Sequence, residues 1–226
     1  MPAMSKAEVL KQSLIFSGLS HDELKVLADL AVERRFPAGE FILWEGDAPE
    51  FFYVVAEGRV KIVKHSSTGK DFIIAFFNPG EMFGEVAVFQ NKPYPASAQA
   101  ATDVSVLCIN RGEFLSFLAG HPEVSLAIIT VLGGRLRDAQ NRLKDLAAER
   151  VERRLCRLLL MLSEKLGNTL PFTRQEIADM AGTTTETAIR FTTQLKERKI
   201  IHTVRGKITI LNAEKLRLLS EGPPRP

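Results

Sequence analysis

Residues 172–190 read FTRQEIADMAGTTTETAIR, two short helical stretches separated by a single glycine. Thr173 followed three positions later by Glu176 forms a capping box, which opens a short helix whose Ile177 and Ala181 face inward. Gly182 falls where the chain must turn sharply, because glycine enters the left-handed region without a Cβ penalty. A second helix then starts near Thr184 and continues to Arg198, with Ala188, Ile189, Phe191 and Leu195 available to the core. Two short helices joined by so tight a turn make a helix-turn-helix. In that geometry the exposed N-terminal residues of the second helix enter the DNA major groove, here Thr184, Thr185, Glu186, Ile189 and Arg190. A carboxylate such as Glu186 accepts from cytosine N4, and a guanidinium such as Arg190 bonds guanine O6 and N7 together, so the pair suits a G·C step. Their i,i+4 spacing equally suits an ordinary helix salt bridge worth about 0.3–0.5 kcal/mol.

The flanks of this stretch support DNA binding. Thr173, Arg174 and Gln175 lie at the first helix's N-terminus, where side chains and free N–H groups can hold a phosphate oxygen and fix register. Downstream, Lys199 to Val204 and Lys207 to Leu211 predict a hairpin around Arg205-Gly206, the wing of a winged helix, with Arg205 and Lys207 as phosphate contacts. Upstream, Val151 to Leu166 reads as a leucine-rich helix. Residues 151–226 carry 14 Lys or Arg against 8 Asp or Glu, net +6, whereas residues 1–150 carry 16 against 19, net −3. The asymmetry points to a polyanion partner for the C-terminal part. Gly222 to Pro226 read as a disordered tail.

Ahead of residue 151 the period changes from 2 to 3.6 after Arg111, and Pro122 suits the first turn of a long helix that runs to about Ala148. Ile129, Leu132, Leu136, Ala139, Leu143 and Leu146 recur at alternating spacings of three and four, the seam of a helix that pairs with another helix. A homodimer through this seam is expected, and docking of the stripe on the chain's own sheet is the alternative. Further upstream, short strands are expected at Glu40 to Leu43, Phe51 to Ala56, Arg59 to His65, Phe72 to Phe77, Ser97 to Ala101 and Val104 to Ile109. The breaks between them, Glu57-Gly58, Ser67 to Lys70 and Asn78-Pro79-Gly80, carry turn chemistry, so the region predicts a sandwich or barrel. Two amphipathic helices, Lys6 to Ser13 and His21 to Ala31, precede it and pack on its flank; Ser20 caps the second, with Glu23 three positions on.

Several classes are excluded by what the residues lack. The longest apolar runs are far shorter than the roughly 20 residues of a membrane span, and no signal-peptide pattern opens the chain, so a cytoplasmic protein without membrane contact is expected. Cys108 and Cys156 fall in apolar surroundings and form no CxxC, which argues for buried thiols and no metal site. Glu85, Asp71, His65 and Ser97 share the β region, yet no GxSxG, HExxH or phosphate-cradling glycine loop accompanies them, so no catalytic residues are assigned.

The order of features resembles the CRP/FNR family of bacterial transcription regulators over nearly all of residues 14–219. The stretches that carry the resemblance are Val55 to Val60, Asn78 to Glu85, Thr173 to Ile177 and Glu186 to Arg190. It implies an α+β architecture: a cyclic-nucleotide-binding-type jelly roll, a long dimerisation helix and a winged helix-turn-helix. The expected domains are 1–120 for sensing, 121–150 for the dimerisation helix and hinge, and 151–226 for DNA. The implied partners are a near-palindromic promoter duplex, a second copy of the chain and RNA polymerase.

In cyclic-AMP-binding members a phosphate cassette begins with Gly-Glu, matched here by Gly84 and Glu85, and reaches an Arg-Ser pair about ten residues later. Here those positions are Pro95 and Ala96. A buried phosphodiester would lose its charge-assisted partner, at a cost of about 3–5 kcal/mol, so cyclic AMP is not the expected effector. An N-terminal iron-sulfur cluster is excluded because no cysteine precedes Cys108. The segment Lys92 to Ala100 resembles members that respond to nitric oxide or redox signals, some through haem, for which His21, His65, His121 and His202 are the available axial ligands. A small organic effector held by Phe83, Gly84, Glu85, Ser97 and Gln140 is the leading expectation. Ligand-independent activation is the alternative within the family, and a ligand-binding scaffold without specific DNA binding is the alternative outside it.

Overall fold

Two serines open the first helices. In a computed structural model that describes residues 4–65 and 71–221, α1 (Lys6–Gln12) and α2 (His21–Leu30) each begin with a complete capping box, Ser5 with Glu8 and Ser20 with Glu23. The chain then runs through β1 (Ala31–Phe36), β2 (Phe41–Leu43), β3 (Phe51–Glu57), β4 (Val60–His65), β5 (Asp71–Phe77), β6 (Met82–Phe83), α3 (Glu85–Gln90), β7 (Ser97–Ala100) and β8 (Val104–Asn110). The helices α4 (Arg111–Gly120) and α5 (Pro122–Ala148) follow. The second half comprises α6 (Val151–Leu166), β9 (Thr169–Leu170), α7 (Arg174–Ala181), α8 (Thr185–Glu197), β10 (Ile201–Val204), β11 (Lys207–Ile210) and α9 (Ala213–Glu221). The chain divides into two compact units, Met1–Leu136 and Arg137–Pro226, with the boundary inside α5.

The first unit is a jelly roll of two four-stranded antiparallel sheets, ordered β1-β8-β3-β6 and β2-β7-β4-β5. Its central strands are apolar on both faces because both faces are covered. Along β3, Phe52 and Val54 face α1, α2, α4 and the start of α5, while Tyr53 and Val55 face the other sheet. On β8, Leu107 and Ile109 join the helical side and Val106 and Cys108 the inter-sheet side. Phe52 anchors the helical core, stacked on Phe114 at 3.9 Å and meeting Phe16 edge-on at 6.4 Å. Each such fully buried aromatic contributes about 1.5–3 kcal/mol through area removed from water. The two amphipathic N-terminal helices therefore do pack on the jelly roll.

The second unit is a helical core with a small sheet, ordered β10-β11-β9. Leu155, Cys156, Leu159, Phe172, Ile177, Ala188 and Leu195 are buried, and Leu216 of α9 joins them. Both cysteine thiols are buried, and burial pushes Cys108 up to about 11 and Cys156 up to about 12.

Several local readings change. β1 is a strand that the sequence left unassigned, since only Ala31 of its residues is buried and Glu33, Arg34 and Arg35 face solvent; pairing with β8 makes it a strand, without an apolar stripe. The segment after β6 forms the six-residue helix α3, too short to show a 3.6-residue period, and the two-residue β9 completes the wing sheet. Within α8, Ile189 is 41% exposed and does not join the core; Thr192 is buried instead, with its hydroxyl donating to the Ala188 carbonyl at 2.8 Å. The expected turn at Ser67 to Lys70 and the tail Gly222 to Pro226 lie outside the described residues.

Candidate nucleic-acid interface

The helix-turn-helix is assembled by its caps. Thr173 accepts from the Glu176 N–H at 3.2 Å, and the Glu176 carboxylate accepts from the Thr173 N–H at 2.8 Å. Gly182, at φ 62°, ends α7 in the left-handed conformation, and Thr184 caps α8 by accepting from the Thr187 N–H at 3.3 Å. On α8 the exposed residues are Glu186, Ile189, Arg190, Thr193, Gln194, Lys196 and Glu197, and all but Lys196 form one stripe at helical spacing that begins at the helix N-terminus. Among the described residues Glu186 and Arg190 form no ion pair with each other, so both side chains are free to reach outward. Thr193, one heptad beyond Glu186, extends the stripe and was legible only as a continuation of that period.

The residues expected to hold phosphate are placed by contacts of their own. Arg174 donates to the Thr203 hydroxyl at 3.1 Å, which ties α7 to the wing strand β10. Gln175 donates to Asp179 at 2.7 Å and accepts from the Thr185 hydroxyl, which joins the two helices of the motif. The wing pairs β10 with β11 from Ile201↔Ile210 to Val204↔Lys207, leaving Arg205 and Lys207 exposed at its tip. Thr184, Thr185, Glu186, Ile189 and Arg190 thus lie at the cap and N-terminal half of α8, and Arg205 and Lys207 at the tip of the β10–β11 hairpin, within one unit.

In the first unit, the residues expected to hold an effector are mostly interior. Phe83 stacks on Tyr53 at 4.8 Å and lies 6.1 Å from Phe77. Gly84 has φ 81°, and a Cβ there would meet the Phe51 carbonyl oxygen at 3.3 Å and the Tyr53 ring at 3.1 Å. The Ser97 hydroxyl accepts from the Glu45 N–H at 2.9 Å. Glu85 is buried against Arg135 of α5, whose guanidinium donates to the Glu85 carboxylate at 3.0 Å and to the Met82 carbonyl at 2.7 Å, and lies 4.4 Å over the Phe77 ring. Burial raises the Glu85 carboxyl above its ordinary range, against the opposing pull of Arg135. Arg135 was missed because it lies 50 residues from Glu85. Gln140 is exposed and belongs to the second unit.

A cyclic nucleotide-binding domain model matches residues 33–121, and a Crp-like helix-turn-helix domain model matches residues 153–219. A CRP/FNR-family transcriptional regulator from Thermus thermophilus is similar in structure, with 30% identity, TM-score 0.67, and coverage of 84% of this chain and 99% of that one. This chain belongs to the CRP/FNR family of transcription regulators. FixK2 from Bradyrhizobium japonicum matches at TM-score 0.77 with 25% identity over 86% of this chain and 99% of its own. A Mycobacterium tuberculosis relative described as a CRP-like cAMP-activated global transcriptional regulator is 29% identical over 217 residues, 92% of this chain and 97% of that protein. The family consists of DNA-binding regulators, not enzymes.

In this CRP/FNR regulator the cassette does not fit the usual cyclic-phosphate grip. Pro95 has no side-chain donor, and its carbonyl accepts from Lys64 at 2.9 Å. Arg135 is the cation beside Glu85, and its donors are engaged by Glu85 and Met82. His21, His65 and His202 are exposed, while His121 sits between the Phe117 carbonyl, 2.8 Å from Nδ1, and Glu23, 3.7 Å from Nε2. Along α5, Ile129, Leu136, Leu143 and Leu146 are exposed, as is Leu126, whereas Leu132 is half-buried against the helical core of the first unit. Ala139 is exposed between them. No single helix among the described residues is long and apolar enough to cross a membrane.

Proposed function

We propose that this regulator acts as a cytoplasmic homodimer that reads a near-palindromic duplex with two copies of α8, under control of a small effector other than cyclic AMP at the jelly roll, and that it recruits RNA polymerase. The observation that carries the reading is the exposed stripe on α8, with Glu186 and Arg190 not paired to each other among the described residues, in a part of the chain with net charge +6. The dimer is supported by Leu126, Ile129, Leu136 and Leu143, each more than half exposed on α5 at spacings of three and seven. Side chains so apolar lose little on pairing and gain about 25 cal/mol per Å² of area removed from water. Effector control is supported by the buried Glu85–Arg135 pair, which fastens α5 to the jelly roll and which an anionic ligand would compete for. The same pair, satisfied internally, also favours a second reading, in which the amount of protein alone sets activity.

Arg190→Ala is expected to cost about 1–3 kcal/mol at the preferred duplex and to relax selectivity at one G·C base pair, with binding to random duplex nearly unchanged. Fluorescence anisotropy on duplexes substituted one base pair at a time measures both. Specific affinity and base preference equal to wild type would remove α8 as the reading element.

A further inference from the structure

The turn that separates α7 from α8 is held by a residue outside the motif. Arg154, on the first turn of α6, donates through Nε to the Ala181 carbonyl at 3.2 Å and through Nη2 to the Gly182 carbonyl at 3.2 Å. Its Nη1 donates to the Glu149 carbonyl at 3.1 Å, at the break between α5 and α6. The last carbonyls of a helix lack intrahelical partners and carry partial negative charge, so a guanidinium planted on them is well matched. All three bonds go to main chain, which makes the contact independent of any side-chain rotamer in the turn. Nearby, Arg153 bonds the Glu149 carboxylate at 3.0 Å and Arg157 bonds both Asp145 and, at 3.1 Å, Glu149, so the end of α5 is itself fastened to α6. Leu146 closes the other side, since a Cβ on Gly182 would come within 2.8 Å of its Cδ2. Every one of these residues lies in the Arg137–Pro226 unit.

We propose that Arg154 is a positioning residue for DNA reading: by joining the Ala181-Gly182 turn to the end of α5 it fixes the angle at which α8 is presented, without touching DNA. α8 begins at its cap Thr184, two residues past Gly182, so a small rotation at that glycine displaces Glu186, Ile189 and Arg190 together. Gly182 permits such rotation because its φ of 62° carries no steric wall, and Arg154 and Leu146 remove that freedom. The inference rests on the reading of α8 as the recognition helix. Arg154 differs in kind from a phosphate-binding arginine, because its donors are turned to carbonyls.

The test uses the full chain and compares wild type, Arg154→Ala, Arg154→Lys and Arg190→Ala on a duplex recovered by selection and on random duplex, over a salt series. Arg154→Ala is expected to weaken specific binding about 10- to 100-fold, the range of one lost bidentate base contact, while leaving random-duplex binding within about threefold. The slope of log affinity against log salt stays at the wild-type value, whereas loss of a phosphate contact would lower it by about one. Arg154→Lys, which keeps a charge and can reach one carbonyl, falls between wild type and Ala; it carries the test if the Ala variant fails to fold. Equal specific affinity for wild type and the Lys and Ala variants, or a salt slope reduced by about one in Arg154→Ala, overturns the proposal. A wild-type protein that does not distinguish selected from random duplex overturns the α8 reading and this inference with it.

Discussion

Arg135→Ala is expected to destabilise the first unit by about 3 kcal/mol at neutral pH, the lower end of the range for breaking a buried pair because Arg135 itself is partly exposed. The loss is mostly the cost of a buried Glu85 carboxylate with no counter-charge. Its pH dependence has a defined sign. Burial already raises Glu85 above its ordinary value, so the folded state binds a proton more tightly than the unfolded chain, and this contribution favours folding at low pH and is lost as pH rises through the raised value. Removing Arg135 raises that value further, so the penalty is largest at neutral pH and shrinks as pH falls toward the ordinary carboxyl range. Glu85→Gln introduced into Arg135→Ala removes the buried charge and restores part of the stability. Chemical denaturation of the four proteins, wild type, both singles and the double, at acid and neutral pH measures the cycle. A penalty in Arg135→Ala that is independent of pH and unrelieved by Glu85→Gln would mean that packing over Phe77, and not charge, is what Arg135 supplies.

The second large effect concerns the exposed side of α5. Leu136→Glu with Leu143→Glu places four carboxylates in a seam formed by two copies, where like charges oppose each other and apolar area is lost. Sedimentation is expected to show a monomer, and affinity for a palindromic duplex falls by about 10²–10⁴, since linkage of two half-site readers supplies that gain. Binding to a single half-site is little changed, because α8 is not altered. A double variant that still sediments as a dimer would place the self-association surface elsewhere. Leu132 is not part of this test, since it is half-buried against the helical core.

The parts of this structure that were legible in the sequence are those set by local rules. Ser20 with Glu23 and Thr173 with Glu176 announce helix starts because a capping box is complete within four residues. Pro122 and Gly182 mark a helix beginning and end for reasons of backbone geometry alone. The strands β3, β4, β7 and β8 were visible because apolar runs bounded by turn residues need no long-range information. What escaped needed a distant partner or a longer element. β1 is held by pairing with β8 and shows no apolar alternation, α3 and β9 are too short to establish a period, and Thr192 can be buried where Ile189 is not because its hydroxyl is satisfied inside the helix by the Ala188 carbonyl. Arg135 and Arg154 are the sharper cases. Each is one arginine among several on a polar helix face, and only the fold reveals that one pairs with a carboxylate 50 residues away and the other with carbonyls 27 and 28 residues away.

Selection of duplexes from a random library by the purified protein, read by sequencing, separates paired reading by two α8 helices from nonspecific binding. The expected result is enrichment of a near-palindrome with G·C base pairs in each half-site and half-site centres about one helical turn apart, as two α8 helices related by a two-fold axis require. Enrichment of a single, non-repeated element, or no enrichment above the salt-sensitive binding that any basic domain shows, would contradict it.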